Sequence, residues 1–346
     1  MALTISVLSQ KGGTGKTTAV RHLVEAFRMS GLRVLAIDLD PQGNLSDYFD
    51  IDPEAEPTIG DVLTGRATAA EAIHDSVIPA NLSLAEAEIT LAGRIGRELT
   101  LRKAIAEVRD EYDMVVIDCP PALGLLTVNA LVAADQALLS SEAQYFALQG
   151  VEQALEVIEL ARDTLNPQLE WLGVLFNISD MRTVHSREAY EALGEHVGDR
   201  LLAHTVRQSI AYAESAERAV PIFEYRPDLG VDYLLVAEEL LARLGLADQA
   251  ARIAQMIPDE AREPGPAAEP EPAAKAEVEP EPTIAAGAEP QPTATAEPEF
   301  EPAVEVEAGQ ERPASPEPAP VNGFEPEEAA EPSAEPAGTG FRFRAR

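Results

Sequence analysis

The stretch Leu3-Thr4-Ile5-Ser6-Val7-Leu8, continuing into Ser9-Gln10-Lys11-Gly12-Gly13-Thr14-Gly15-Lys16-Thr17-Thr18, decides how the rest of the chain is read. Its first six residues are apolar and rich in β-branched side chains, the pattern of a buried strand. A glycine-rich turn follows, and then Ala19–Phe27 with helical spacing. Strand, glycine loop and a helix that opens on Lys-Thr form a phosphate cradle. Glycines let consecutive backbone N–H groups point inward, and the helix N-terminus adds positive potential. Lys16 is placed to reach terminal phosphates and the Thr17 hydroxyl to hold Mg²⁺. Such loops usually carry a glycine separated by four residues from the Gly-Lys pair. Here Gln10 stands at that place, and a second lysine, Lys11, comes directly after it.

Two more segments end in carboxylates. Val34-Leu35-Ala36-Ile37-Asp38-Leu39-Asp40 reads as a buried strand stopped by Pro41-Gln42-Gly43-Asn44. Met114-Val115-Val116-Ile117-Asp118, before Cys119-Pro120-Pro121, reads as another. Acidic strand ends beside a phosphate loop are where a divalent cation and an attacking water are managed. Pro120 and Pro121 bar helix continuation and stiffen the loop. Cys119 is expected to be a small packed residue rather than a nucleophile.

Between these strands the signals are shorter. Thr58–Leu63 reads as a capped helix, Val77–Pro79 and Leu82–Leu84 as short strands, and Gly96–Arg109 as a helix with Leu99, Ala104, Ile105 and Val108 inward. Further on, Ala137–Leu139 predicts a strand, Val151–Thr164 an amphipathic helix, and Leu169–Phe176 a strand closed by Asn177. The loop Ile178–Val184 carries Arg182, and Ser186 is placed to cap the next helix. Leu201–Ala203 is a weak strand, with helices expected over Ser209–Arg218 and Val231–Arg243. Strands alternating with helices predict an α/β fold. Its mostly parallel twisted sheet is covered by helices on both faces, with ligand at the strands' C-terminal ends.

Composition divides the chain. Of 27 prolines, 18 lie from Pro258 onward, and that stretch contributes −15 of the formal charge of −34. Residues 1–257 are read as the folded body, large enough for a sizeable core. Residues 258–346, rich in Pro, Glu and Ala, have too few apolar groups to offset ordering entropy and are expected to be a disordered tail. The tail closes on Phe341-Arg342-Phe343-Arg344-Ala345-Arg346, read either as a docking peptide or as a functionless terminus. The single cysteine excludes an internal disulfide and a cysteine-built metal cage, and fits a reducing cytosol. No apolar stretch approaches membrane-spanning length. The acidic balance opposes general attraction to nucleic acid, so any such binding needs a local arginine patch.

Three stretches together, Lys11–Thr18, Asp38–Asn44 and Asp118–Pro121, resemble the ParA/MinD deviant Walker A ATPases on the ParA side. Gln144–Gly150 looks like that family's as well. The resemblance covers about residues 1–246 and none of the tail. It implies a P-loop NTPase fold and an ATP-dependent homodimer with slow, partner-stimulated hydrolysis of ATP. In that reading Lys11 crosses to the partner's nucleotide. Gly12, Gly13, Thr14, Gly15, Lys16, Thr17 and Thr18 cradle the phosphates. Thr17, Asp38 and Asp118 serve Mg²⁺, and Asp40 positions the attacking water. Asn177 and Arg207 are the implied adenine contacts.

The resemblance also implies non-specific DNA binding. Arg182 stands where the family often has an arginine for this. A second family position falls near Ile210, where this chain departs, leaving Arg207 or Arg218 as substitutes. The implied partner is a ParB-like or cargo adaptor protein, the cargo DNA or a protein cluster, and the location the cytoplasm, on the nucleoid. Two rivals differ in kind. A MinD-like membrane-cycling regulator needs a basic amphipathic helix that the proline-broken tail does not supply. A non-hydrolysing scaffold requires that nucleotide fail to bind.

Overall fold

A computed structural model describes residues 2–142 and 147–262. The strands are β1 (Leu3–Leu8), β2 (Val34–Asp38), β3 (Val77–Ile78), β4 (Met114–Asp118), β5 (Gln136–Glu142) and β6 (Glu170–Asn177). They form one sheet, ordered β3-β2-β4-β1-β5-β6, with every pairing parallel. Alternation along each strand splits the core in two. Leu35, Ile37, Val115, Ile117, Leu139, Val174 and Phe176 face one cluster. Ile5, Val7, Ala36, Val116, Leu138, Leu172 and Leu175 face the other. Strands buried on both sides read as continuous apolar runs.

The helices are α1 (Lys16–Met29), α2 (Asn44–Tyr48), α3 (Ile59–Thr64), α4 (Ser83–Ala92), α5 (Thr100–Ile105), α6 (Leu125–Ala133) and α7 (Ala147–Thr164). They continue with α8 (Val184–Val197), α9 (Ala211–Glu217), α10 (Ile222–Tyr225), α11 (Pro227–Arg243), α12 (Ala247–Ala254) and α13 (Asp259–Arg262). Side chains of α3 to α8 fill the first cluster, and those of α1, α2 and α9 to α13 the second. The doubly covered parallel sheet predicted from the strand and helix alternation is present. None of the described helices is long and apolar enough to cross a membrane.

Several local expectations change. Leu82–Leu84 is no strand: the Asn81 carboxamide accepts Ser83 N–H at 3.0 Å and starts α4, whose Leu84, Ala87 and Leu91 are buried at helical spacing. The helix expected over Gly96–Arg109 is broken, with 3₁₀ turns at Arg97–Leu99 and Arg109–Glu111 flanking α5. Ile105 and Val108 are buried with Leu101, while Leu99 and Ala104 are half-buried. Thr183, not Ser186, caps α8: its hydroxyl accepts Ser186 N–H at 3.2 Å. Leu201 makes only an isolated bridge with Val174. Asp259–Arg262, within the stretch read as tail, forms α13, and Ala261 packs on the second cluster. The remainder of the expected tail, with its last hexapeptide, and residues 144–146 of the Gln144–Gly150 segment lie outside the described residues.

One polar node ties α1 to the far end of the chain. His22 is buried and its Nε2 accepts Ile222 N–H at 3.0 Å, which requires the ring hydrogen to be on Nδ1, donated to the Thr18 carbonyl at 2.7 Å. The ring stacks on Tyr233 with centroids 4.8 Å apart, and the Tyr48 hydroxyl lies 3.3 Å from Nε2. Burial, with a smaller contribution from Arg21, pushes its pKa down to about 3. An unfolded histidine titrates near 6.5, so between about 6.5 and 3 the unfolded chain binds the extra proton and stability falls as pH falls. The group contributes a slope of about 1.4 kcal/mol per pH unit. In urea unfolding from pH 7 to pH 5, the stability advantage of wild type over His22→Gln should shrink with each step down. An advantage independent of pH contradicts a neutral His22.

Candidate functional site

The site is built where β1, β4 and β2 end side by side. Register places Val7 opposite Asp118 and Asp118 opposite Asp38. The chain leaves β1 through Ser9–Gly15, with Gly13 at φ +84° and Gly15 at φ +72°. Gly15 is left-handed at the N-cap of α1, and its carbonyl accepts Ala19 N–H at 2.8 Å. That turn brings Lys16 and Thr17 down onto Asp118. The Lys16 ammonium donates to Asp118 Oδ1 at 2.5 Å and the Thr17 hydroxyl to Oδ2 at 2.7 Å.

The electrostatics follow from burial. Asp118 and Lys16 are both buried. Burial pushes the Asp118 carboxyl up, and Lys16 opposes that shift. Burial works against the Lys16 ammonium, but Asp118 outweighs it and keeps the lysine charged. Burial and the neighbouring Asp118 push Asp38 up to about 7. Burial likewise pushes the Cys119 thiol up, so it is a packed residue and no nucleophile.

Asp38 plays a different part from Asp118. Its Oδ1 accepts Asp40 N–H at 3.1 Å, and its Oδ2 accepts both the backbone N–H and the hydroxyl of Ser46, at 2.9 and 2.8 Å. With both oxygens engaged by the chain that follows it, Asp38 fixes the Asp40 loop and the start of α2. It is register partner to Asp118 but does not face the cavity. Asp40 does, and its Oδ1 accepts Gln42 N–H at 3.0 Å.

A cavity of about 1060 Å³ opens over the loop. Its wall includes Lys11, Gly12, Gly13, Thr14, Gly15, Lys16, Thr17 and Thr18 from the loop, Asp40 just after β2, Asn177 from β6 and Arg207. Asn177 is held by its amide, which donates to the Thr14 and Gly15 carbonyls, each at 3.1 Å. Arg207 lines the same cavity, but Asp232 holds its guanidinium at 2.9 Å and the Asp228 carbonyl accepts from it at 2.6 Å. Gln208, from the Val206-Arg207-Gln208 turn that the resemblance implies for the adenine, is in this wall with Ile210, whereas sequence reasoning missed Tyr212 and Tyr233. Neither carries a motif, and Tyr233 reads as one more core residue of α11.

Arg182 and Arg218 lie outside the cavity wall. Arg182 is 84% exposed and forms a fork with both oxygens of Asp180, at 2.9 and 3.0 Å. Its loop runs beside Arg207, because Ser179 bridges to Arg207. Arg218 ends α9, stacked 5.1 Å from the Tyr225 ring centroid.

Comparison with known proteins fits this geometry. A family model described as an AAA domain matches residues 2–171. The sporulation initiation inhibitor protein Soj of Bacillus subtilis is 36% identical over 251 residues, covering 70% of this chain and 99% of that protein. The chain belongs to the Soj/ParA family. The chromosome partitioning protein ParA of Caulobacter vibrioides is also 36% identical, over 69% of this chain and 94% of its own length. Among solved structures, a Mycobacterium smegmatis protein described as cobyrinic acid a,c-diamide synthase, with bound ADP and magnesium, is 36% identical. It superposes with a TM-score of 0.58, over 63% of this chain and 93% of that one. The family is one of P-loop ATPases, as the loop and the two acidic strand ends indicate.

Gly15 gives a local test. A Cβ there lies 2.6 Å from the Asn177 amide nitrogen, on a backbone at φ +72°. Gly15→Ala should cost more than about 1 kcal/mol in urea unfolding. Unchanged stability contradicts the close approach of Asn177 to the loop.

Proposed function

We propose that this protein is an ATP-dependent dimerising switch that binds non-specific DNA and partitions DNA or positions a protein cargo. The observation that carries the reading is the joint placement of Lys16 and Thr17 on buried Asp118, with Asp40 and Lys11 on the wall of the same cavity. The loop's N–H groups and Lys16 neutralise phosphate charge, and Lys11, at the loop's head, is placed to reach a nucleotide bound by a second subunit. Asp40, held by the Asp38 loop, orients the attacking water, and the turnover is slow enough to time a conformational switch.

The donor set suits Mg²⁺. Thr17 Oγ1 and Asp118 Oδ2 offer hard oxygens 2.7 Å apart. Among the described residues no group of three or more His, Cys, Asp or Glu forms a closed cage. Mg²⁺ prefers this situation, taking most of its ligands from phosphates and water. When bound, the ion would supply charge neutralisation at the phosphates, and Thr17 and Asp118 are the residues that would hold it.

DNA contact is assigned to Arg182, on the exposed loop after β6, with Arg207 and Arg218 as flanking candidates. Each phosphate contact must compete with a neighbouring carboxylate, Asp180 for Arg182 and Asp232 for Arg207. Pairing two subunits doubles the few cations available, which makes DNA retention depend on ATP. A ParB-like or cargo adaptor protein completes the cycle by stimulating hydrolysis, on the cytoplasmic nucleoid. The folded body carries the switch.

Two measurements test the reading. Lys16→Ala should lower ATP affinity by more than about 100-fold, since it removes the buried cation of the cradle. Unchanged affinity would falsify the phosphate-cradle assignment. Retention on non-specific duplex DNA should require ATP and fall steeply with salt. Arg182→Glu should reduce that retention about 10-fold or more while ATP-driven dimerisation, read by light scattering, persists. Undiminished retention in that variant moves the DNA site elsewhere.

A further inference from the structure

Backbone strain in this chain collects around the cavity. Among the described residues five non-glycine positions have φ above zero, and three of them, Asp50, Ile178 and Ala219, line the cavity wall. Ile178 is the costly one, because at φ +52° its branched Cβ crowds the following carbonyl. The fold holds it there from both sides. Its N–H is taken by the Asn177 side-chain oxygen at 3.0 Å, and Asn177 is itself tied to the phosphate loop. The next residue, Ser179, gives its N–H to the Val206 carbonyl at 3.0 Å and accepts Gln208 N–H at 3.1 Å. Glycine or asparagine would take this turn at less cost, so folding alone does not account for an isoleucine here. Strain that a fold retains at a ligand cavity points to use by the ligand.

What the turn achieves is to set an aliphatic side chain on a wall built mainly of small and polar residues. Ile178 is half-buried, and its Cδ1 lies 3.4 Å from where a Cβ on Gly15 would stand, beside the phosphate loop. Ile210 stands on the same wall and is 77% exposed. Among the described residues these two are the wall's only branched aliphatic side chains, and each keeps surface open to the cavity. The backbone bonds of Ser179 to Val206 and Gln208 run their two segments side by side. Sheet order gives the part of a nucleotide that meets them. Lys16, Thr17 and Asp118, the groups suited to phosphates, gather where β1 and β4 end, while β6 is the sheet's edge beyond β5. A nucleotide with its terminal phosphates over Lys16 and its other end directed past Gly15 toward β6 brings its base to Ile178 and Ile210. The flat faces of a base are its least polar surface, and laying one on aliphatic carbon removes both from water.

We propose that Ile178, together with Ile210, forms the apolar face against which the base of the bound nucleotide lies, and that the strained turn after β6 serves this contact. The inference rests on the nucleotide reading above and adds a contact that the phosphates do not make. Neither side chain can read the hydrogen-bonding edge of the base, so the pair contributes affinity and orientation.

The test uses the full chain and two variants. Ile178→Ala installs a residue type that the chain already carries at this φ in Ala219, and Ile178→Leu keeps the aliphatic bulk without the β-branch. ATP with Mg²⁺ should bind Ile178→Ala about 5- to 20-fold more weakly, and Ile178→Leu within about 3-fold of wild type. Ribose 5-triphosphate, which lacks only the base, should bind all three proteins alike. Unchanged ATP affinity in Ile178→Ala overturns the proposal. So does an equal loss for ribose 5-triphosphate, which places the effect at the loop or the sugar. A loss in Ile178→Leu as large as in Ile178→Ala assigns the residue to the turn's structure and also overturns it. Calorimetry on wild type decides the matter should a variant fail to fold. ATP binding should carry a more negative heat-capacity change than ribose 5-triphosphate binding, because only the base covers the apolar face. Equal heat-capacity changes overturn the proposal. Wild type that binds no ATP defeats the underlying nucleotide reading, a different failure.

Discussion

The site hangs on one buried carboxylate. Asp118 takes an ammonium from Lys16 and a hydroxyl from Thr17, and so fastens the end of β4 to the beginning of α1. Isolated, such a charge in an apolar sheet would be expensive, and breaking a buried pair by removing one partner costs about 3–5 kcal/mol. Here every oxygen of the carboxylate is used. The strand end, the glycine turn and the first helical turn can hold only one relative position. In the proposed function, a phosphate arriving at Lys16 would meet donors that are already oriented, the form that preorganisation takes.

A second layer of constraint lies one helical turn further along. The Thr18 carbonyl, the last group of the cradle, is held by His22, which also receives the backbone of Ile222. Around that ring Tyr48 from α2, Tyr212 from α9 and Tyr233 from α11 converge. The helix that follows the Asp40 loop, the helix that opens the cradle and the helices after β6 therefore share one aromatic centre. Movement at the Asp40 loop cannot stay local, because Tyr48 hydrogen-bonds to Ser215 in α9 and to the Tyr212 carbonyl.

How much of this was legible in the sequence depended on how far apart the cooperating residues lie. The loop Lys11–Thr18, the carboxylates Asp38, Asp40 and Asp118, and the strands that carry them were readable, since each motif is contiguous and ends an apolar run. α6 escaped notice because Leu125–Ala133 is apolar all round and shows no amphipathic period. α2 is five residues long, too short for periodicity, and starts at a left-handed Gly43. Leu82-Ser83-Leu84 alternates like a strand, and only Ala87 and Leu91 beyond it reveal the helix. That Asp38 would spend its oxygens on Asp40 and Ser46 was not readable either, since it turns on the path of a loop. Arg207 meets Asp232 25 residues later and Tyr233 meets His22 across most of the chain. Pairings of that kind are products of the strand order β3-β2-β4-β1-β5-β6, which no local pattern encodes.

The bond between His22 and Ile222 spans 200 residues, and it bears on how the molecule is made. During synthesis at about 5–20 residues per second, α1 waits roughly 10–40 s before the segment that locks its polar node is translated. Until then His22 faces water, Val20, Leu23 and Phe27 lack the helices they pack against, and the cradle has no firm floor. Long-range closure of this kind slows folding and leaves apolar surface open meanwhile. A nascent or truncated chain that stops short of α10 therefore has the phosphate loop's sequence without the contact that fixes the helix beneath it.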